Sequence, residues 1–461
     1  MSRSNDKITN KILAPVLVIA ATMFVCILLL TAVNMIPTGQ IEQYSRESAD
    51  HLIKSPLFVP LIGKRVSSIQ DNYADAELLA ITYSIDNSRP FVSAVRDEYA
   101  VDDEKSAVQS YRDLVNGKTE PNSTYSRYWH GSMVYIRPLL MFMSIDGIRK
   151  AIGSLIILLQ LLVVIMLLKM GKKTWLICYI LAFIATAPWM LFTCLEYSSV
   201  FLVLPGAVLV ILYLISKGEE DKAALLFGAA GVITCFVDFL TTETLTFTIP
   251  MLFLLLYLIE EKKLSSVSSG IKVVVINGIW WAAGYITSFL TKFVLIYIVC
   301  GREELIESFK AGMLRVSGQV HMGNTNLAPE ATDLDRLAGA IWHNLSPFFF
   351  VKYDHMTMVG AVFPALLIIS VAFVIVFLFH KDINIEHIIP VMILAVLPYI
   401  RFLVLSNHAY MHFFFTYRAE MVTVMVLLYL TWMYGIRNIP EMIGKNSDND
   451  KGKRKKGRKV S

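Results

Sequence analysis

Residues 12–34 read ILAPVLVIAATMFVCILLLTAVN, an apolar run without a single charged side chain. A bilayer core about 30 Å thick is crossed by about 20 such residues in a helix. The run is longer than the roughly 7–15 apolar residues of a signal peptide, and no small-residue cleavage motif follows it. The stretch therefore predicts a retained transmembrane helix.

The composition of the whole chain agrees with this first segment. Of its 461 residues, 55% are hydrophobic and only 17% are charged, whereas an ordinary soluble chain has about 25% charged residues. The mean hydropathy is +0.56. These values exclude a soluble enzyme, a disordered scaffold and a disulfide-built secreted domain. They predict an all-α polytopic membrane protein.

Apolar segments of similar length recur along the chain and predict about ten transmembrane helices in all. Helices two to seven fall within 151–299 and helices eight to ten within 356–436, which leaves long loops at 35–150 and 300–355. The predicted spans after the first are 151–170, 174–192, 199–216, 222–241, 244–260, 272–299, 356–379, 386–405 and 418–436.

Lysine and arginine in the short loops predict the orientation. The chain has a net charge of +5 and its segment 445–461 has +6, so the other residues sum to −1. Because basic residues favour the cytoplasmic side, the N-terminus 1–11 and the basic tail 437–461 are both predicted to be cytoplasmic, in a plasma membrane. The basic tail is predicted to bind anionic membrane lipid, and a nucleic-acid partner is not predicted. The loops 35–150 and 300–355 are then extracytoplasmic.

Ionisable side chains in or beside apolar spans are costly, so each is a candidate functional residue. Nearly all of them lie at the predicted extracytoplasmic ends. The sequence contains no Gly-rich phosphate loop or dinucleotide fingerprint, so any reaction at the outer face needs an activated substrate that arrives within the membrane. The candidates are Arg127, His130, Arg137, Glu196, Asp238, Glu243, Arg401, His408, His412 and Arg418.

This layout resembles the GT-C superfamily of integral-membrane glycosyltransferases, which combine a large first outer loop with a later flexible one. The resemblance implies a polyprenyl-phosphate-linked sugar as donor and an acidic residue of the first outer loop as base. The matching stretch is Gln70-Asp71-Asn72-Tyr73-Ala74-Asp75-Ala76-Glu77. The peptides 127–131, 238–242 and 407–418 also look like those of uncharacterised multi-span proteins of Gram-positive bacteria, which implies a bacterial source.

The residue types fit such a transfer. Asp71 and Asp75 are spaced i, i+4, so on a helix their carboxylates share one face; we expect Asp71 to act as general base and Asp75 to orient it or to share a cation. Arginine grips phosphate well. The residues predicted to bind the lipid phosphate are Arg127, His130, Arg137, Arg401, His408, His412 and Arg418.

Several alternatives stay open at this stage. Glu196, Asp238 and Glu243 are candidates for contacting the acceptor or for holding a divalent cation through oxygen ligands, and no cofactor is assigned. Asp71 and Asp75 could instead be solvated helix residues. The predicted function is transfer of a sugar to a cell-envelope glycan or protein acceptor. The alternatives are a transporter or flippase of lipid-linked sugars and a non-catalytic subunit of an envelope glycan assembly complex.

Overall fold

The computed structural model describes residues 2–317, 333–349 and 385–434, and the described chain is predominantly helical. The predicted eighth span, 356–379, and the basic tail 437–461 lie outside the described residues, as does part of the second long loop.

Six of the described helices are long and apolar enough to cross a membrane, which makes the chain a multi-pass membrane protein. The first belongs to α1 (Ser2–Asn34), and the last is interrupted by a short 3-10 turn at Tyr417–Glu420. These six segments are Ile12–Asn34, Ile145–Lys169, Leu195–Lys217, Val267–Cys300, Glu386–Val404 and Phe413–Tyr434.

Three predicted spans correspond to shorter helices, namely α8 (Lys173–Ala185), α10 (Ala223–Val237) and α11 (Leu245–Glu260). The 13 residues of α8 stop well before the predicted end at 192. The reason is local: Ala187 has a left-handed φ of 55° and the following Pro188 begins a 3-10 helix. Hydropathy alone does not register a bend of this kind.

The segment between α1 and α7 (Ile145–Lys169), residues 35–144, is called the insert. It contains five α-helices and two small two-stranded antiparallel sheets around buried side chains such as Tyr111 and Leu79. Its helices are α2 (Thr38–Leu52), α3 (Asn72–Tyr83), α4 (Pro90–Arg96), α5 (Ala107–Val115) and α6 (Met133–Leu139). Its strands are β1 (Phe58–Pro60), β2 (Ile69–Asp71), β3 (Glu98–Tyr99) and β4 (Ser123–Thr124).

The long helix α12 (Val267–Cys300) packs closely on α10. A Cβ atom on Gly231 would overlap the carbonyl oxygen of Trp281, and one on Gly284 would overlap that of Gly228. The other described helices are α9 (Leu195–Lys217), α13 (Arg302–Ser317), α14 (Asp333–Leu345), α15 (Ile385–Val404), α16 (Ser406–Met411), α17 (Phe413–Thr416) and α18 (Met421–Tyr434).

Candidate functional site

A small polar cavity lies where the insert meets α9, α13 and α16. Its volume is about 80 Å³, and its wall combines carboxylates with aromatic rings and histidines. The lining residues are Asp71, Tyr73, Ala74, Glu77, Leu78, Ile81, Tyr125, Tyr128, His130, Glu196, Phe239, Arg315, His408 and His412. Polar groups gathered in a concave site are what a small polar substrate requires.

Asp71 lies at the end of β2 and caps α3, and it is 3% exposed. Its Oδ1 accepts a hydrogen bond of 2.9 Å from the Ala74 N–H. Burial raises the pKa of the Asp71 carboxyl to about 7, because this effect outweighs the lowering by the Ala74 N–H, and Asp75 and Glu77 raise it further. A carboxylate with this pKa is suited to accept a proton near neutral pH.

Asp75 does not line the cavity, although it lies in the first turn of the same helix. Its Oδ2 lies 2.7 Å from Arg149 Nη2, and its Oδ1 accepts a 3.0 Å hydrogen bond from the Leu195 N–H. The carboxylate thus ties α3 to α7 and α9. This position contrasts with the expected role of orienting Asp71 or sharing a cation with it, since both oxygens are engaged elsewhere.

Two further carboxylates accompany Asp71 in the cavity wall. Glu196 belongs to the first turn of α9, which begins at Leu195. Glu77 lies in the quoted stretch 70–77 but was not among the predicted site residues. Burial raises the pKa of Glu77, and Tyr73 donates a hydrogen bond to its carboxylate. The sequence spacing between Glu77 and Asp71 did not indicate that the two side chains line the same cavity.

A second cavity, called the apolar groove, has a volume of about 650 Å³. Its long wall is one face of α12, with Trp281, Tyr285 and Phe289, and α13 and α15 close it from other sides. Tyr128 and Arg315 line both this groove and the polar cavity. The two spaces therefore share a boundary.

Three arginines lie along the apolar groove, and two of them were predicted. The guanidinium of Arg127 stacks on the Tyr125 ring, 3.9 Å from its centroid. Arg315 was missed because it comes from α13, an amphipathic helix outside the predicted spans; its Nη1 lies 3.4 Å from His412 Nε2. Arg401 of α15 is the third and is 6% exposed.

Arg401 is paired with Glu243, whose Oε1 accepts a 2.8 Å hydrogen bond from its Nε. Nη2 donates to the Leu240 carbonyl, whereas Nη1 is buried without a hydrogen-bond partner among the described residues. Asp238 lines neither cavity; it accepts hydrogen bonds from the backbone N–H and hydroxyl of Thr241 and so caps its own turn.

Two predicted phosphate ligands lie away from both cavities. Arg418 is buried, with Nε donating to the Thr186 carbonyl at 3.0 Å and Nη1 to the Phe414 carbonyl at 3.1 Å. Arg137 donates to the carbonyls of Thr82 and, at 2.6 Å, Ile36. Guanidinium groups engaged in this way hold separate chain segments together, so they differ from the expected role.

Two neighbouring histidines, His408 and His412, line the polar cavity. His408 and His412 lie with their ring centroids 4.6 Å apart. Burial lowers the pKa of both, that of His412 to about 3, and the cations Arg315 and Arg401 act in the same direction. They can therefore exchange hydrogen bonds with a ligand, but they do not add positive charge for a phosphate.

A metal centre is not assembled by the described side chains. Among residues 2–317, 333–349 and 385–434, no group of three or more His, Cys, Asp or Glu side chains is arranged to hold a metal ion.

The chain matches no protein-family model, no curated protein and no solved structure. The assignment of function therefore depends on the residues and cavities described above.

Proposed function

We propose that this protein transfers a sugar from a polyprenyl-phosphate carrier to a cell-envelope glycan or protein acceptor at the extracytoplasmic face. The observation that supports it is the shared boundary of the apolar groove and the polar cavity at Tyr128 and Arg315. The transfer needs both spaces at once, the apolar groove for the lipid chain of the donor and the polar cavity for the hydroxyl-bearing acceptor, with the sugar at their shared boundary.

The groups at that boundary supply the required chemistry. As the acceptor oxygen bonds to the anomeric carbon, Asp71 takes the hydroxyl proton, and the bond between that carbon and the phosphate oxygen breaks. The departing lipid phosphate carries negative charge. Arg127, Arg315 and Arg401 stabilise it, since guanidinium groups form strong charge-assisted hydrogen bonds with phosphate.

The topology that goes with this function is a GT-C-like bundle of ten spans in a bacterial plasma membrane. Both termini are then cytoplasmic, and residues 35–150 and 300–355 are the extracytoplasmic loops. The supporting observations are the lysine-rich short loops and the location of the polar cavity against the insert.

The test is Asp71→Asn in the full-length protein. Asparagine caps helices as well as aspartate does, so the bond from the Ala74 N–H and the fold are retained. Without the base, transfer from a polyprenyl-phosphate-linked radiolabelled sugar to membrane acceptors should fall by about 100-fold or more. Asp50→Asn is the matched control, because Asp50 is exposed and pairs with Arg112 at the surface. Undiminished transfer in Asp71→Asn would contradict the proposal, as would movement of the lipid-linked sugar across vesicles that lack an acceptor.

A further inference from the structure

Three ionisable side chains meet at the edge of the polar cavity. Lys292, fully buried in the apolar helix α12, donates 2.7 Å to Asp97 Oδ2 and 3.0 Å to the Ala94 carbonyl. His130 Nδ1 approaches the same carboxylate oxygen at 3.2 Å. A lysine within a membrane helix is costly unless it is paired, so the Asp97 charge has a fixed cationic partner.

The backbone around His130 is held on both sides. The Trp129 indole donates 2.9 Å to the Ser288 carbonyl, and the Gly131 N–H donates 2.9 Å to the Phe236 carbonyl. A side chain on Gly131 would overlap Phe236, so the peptide lies tightly against α10. His130 itself has a left-handed φ of 48°. The backbone position from which the His130 ring projects is therefore set by the surrounding fold.

The other ring nitrogen of His130 is available to a ligand. His130 is 2% exposed and lines the polar cavity, and neither ring nitrogen completes a hydrogen bond among the described residues, although Nδ1 lies 3.2 Å from Asp97 Oδ2. Buried polar atoms are nearly always paired, and an unpaired one at a cavity wall is satisfied by what enters the cavity. The rings of Tyr125 and Phe239 lie near the His130 ring, with centroids 4.9 and 5.1 Å away. They leave few other hydrogen-bond partners for Nε2.

We infer that His130 positions a sugar acceptor. Its Nδ1, 3.2 Å from Asp97 Oδ2, carries the proton toward that carboxylate, its Nε2 accepts a hydrogen bond from an acceptor hydroxyl, and the bond from Lys292 holds Asp97 in position so that this tautomer persists. The inference rests on the proposed sugar transfer. Since Asp71 lines the same cavity of about 80 Å³, one hydroxyl of the acceptor can meet Asp71 while another meets His130. The acceptor class is thus a glycan, whose neighbouring hydroxyls allow this, and not the single hydroxyl of a serine or threonine.

The first measurement is the tautomer of His130 in the ligand-free protein. Spectra of full-length protein labelled with ¹⁵N-histidine in lipid nanodiscs, with His130→Gln to identify the signal, should show a neutral ring protonated at Nδ1. His343→Gln identifies a matched control histidine, which is also buried but lines neither cavity. A ring protonated at Nε2, or at both nitrogens, would overturn the inference.

In the second measurement, methyl hexosides are added to the wild-type protein, so the result does not depend on whether a variant folds. The Nε2 signal of His130 should move while that of His343 does not, and His130→Gln should weaken hexoside binding about tenfold, the effect of one lost hydrogen bond. No movement with any hexoside, or movement with a short isoprenyl phosphate instead, would overturn it. Neither measurement uses transfer, so a responsive His130 in a protein without transferase activity would contradict the proposed function alone.

Discussion

At the scale of single residues, the buried charge of Asp71 predicts a pH dependence. Its pKa is raised to about 7 by burial, and a general base must be deprotonated to act, so kcat/KM for transfer should rise with pH and level off above about 7. The folded protein favours the protonated form, because the folded pKa lies above the ordinary one. Stability should therefore fall as pH rises from about 4 to 7.

Asp71→Asn separates these two effects. The residual transfer of this variant should show no ascending limb near pH 7, and the thermal midpoint in detergent should exceed that of the wild type at pH 8 but not at pH 4. An unchanged limb in the variant would assign the titration to another group.

Single residues also show what the sequence could and could not predict. Arg401 and Arg418 look alike in sequence, each near the end of an apolar segment. The two arginines differ in their contacts, which come from distant parts of the chain. Arg418 donates a hydrogen bond to the Thr186 carbonyl, whereas Arg401 donates one to Glu243 and lines the apolar groove. Asp71 could be singled out by residue type and resemblance, but the diversion of Asp75 to Arg149 depends on a tertiary contact.

At the scale of helices, apolar length predicted most membrane helices to within a few residues, as with 12–34 and 199–216. The predicted ends were less accurate where backbone geometry determines the residue at which a helix begins or ends. The helix α12 begins at Val267, before the predicted 272, because Ser266 and Ser269 form a reciprocal capping box. Hydropathy does not detect caps of polar residues outside the apolar run.

The contact between α10 and α12 gives a prediction about stability. Alanine is normally favoured over glycine in a helix by about 1 kcal/mol, but a Cβ at Gly231 would overlap the Trp281 carbonyl oxygen. Gly231→Ala must push the two backbones apart and should cost about 1–3 kcal/mol, the usual penalty for overpacking. Thermal unfolding in detergent measures this loss.

The matched control is Gly206→Ala in α9, where an added Cβ would meet nothing within 4 Å. It should leave the thermal midpoint unchanged or raise it slightly. Equal midpoints for the two variants would mean that α10 and α12 do not approach as closely as described.

At the scale of the whole molecule, the candidate site is assembled by contacts between parts that are far apart in sequence. Thr124 of the insert donates 2.7 Å to Glu304 of α13, and Asn407 of α16 donates 2.7 Å to the Leu314 carbonyl near the other end of α13. These bonds hold α13 across the apolar groove and bring Arg315 to the polar cavity. No local pattern in the sequence could indicate that arrangement, so the groove was not predicted.

The helix α13 forms one wall of the apolar groove, and a small residue in that wall can be enlarged. Such a substitution tests the proposed lipid site separately from the sugar-transfer reaction. Gly312 lines the groove, and an added Cβ would meet nothing within 4 Å. The side chain of Gly312→Phe should therefore occupy groove space and weaken binding of a long-chain polyprenyl phosphate, measured in nanodiscs, by about tenfold or more. A short isoprenyl phosphate, which reaches only the arginines, should bind as before. Gly312→Ala controls for the change in helix propensity, and equal loss of both lipids in Gly312→Phe would mean that the groove does not hold the chain.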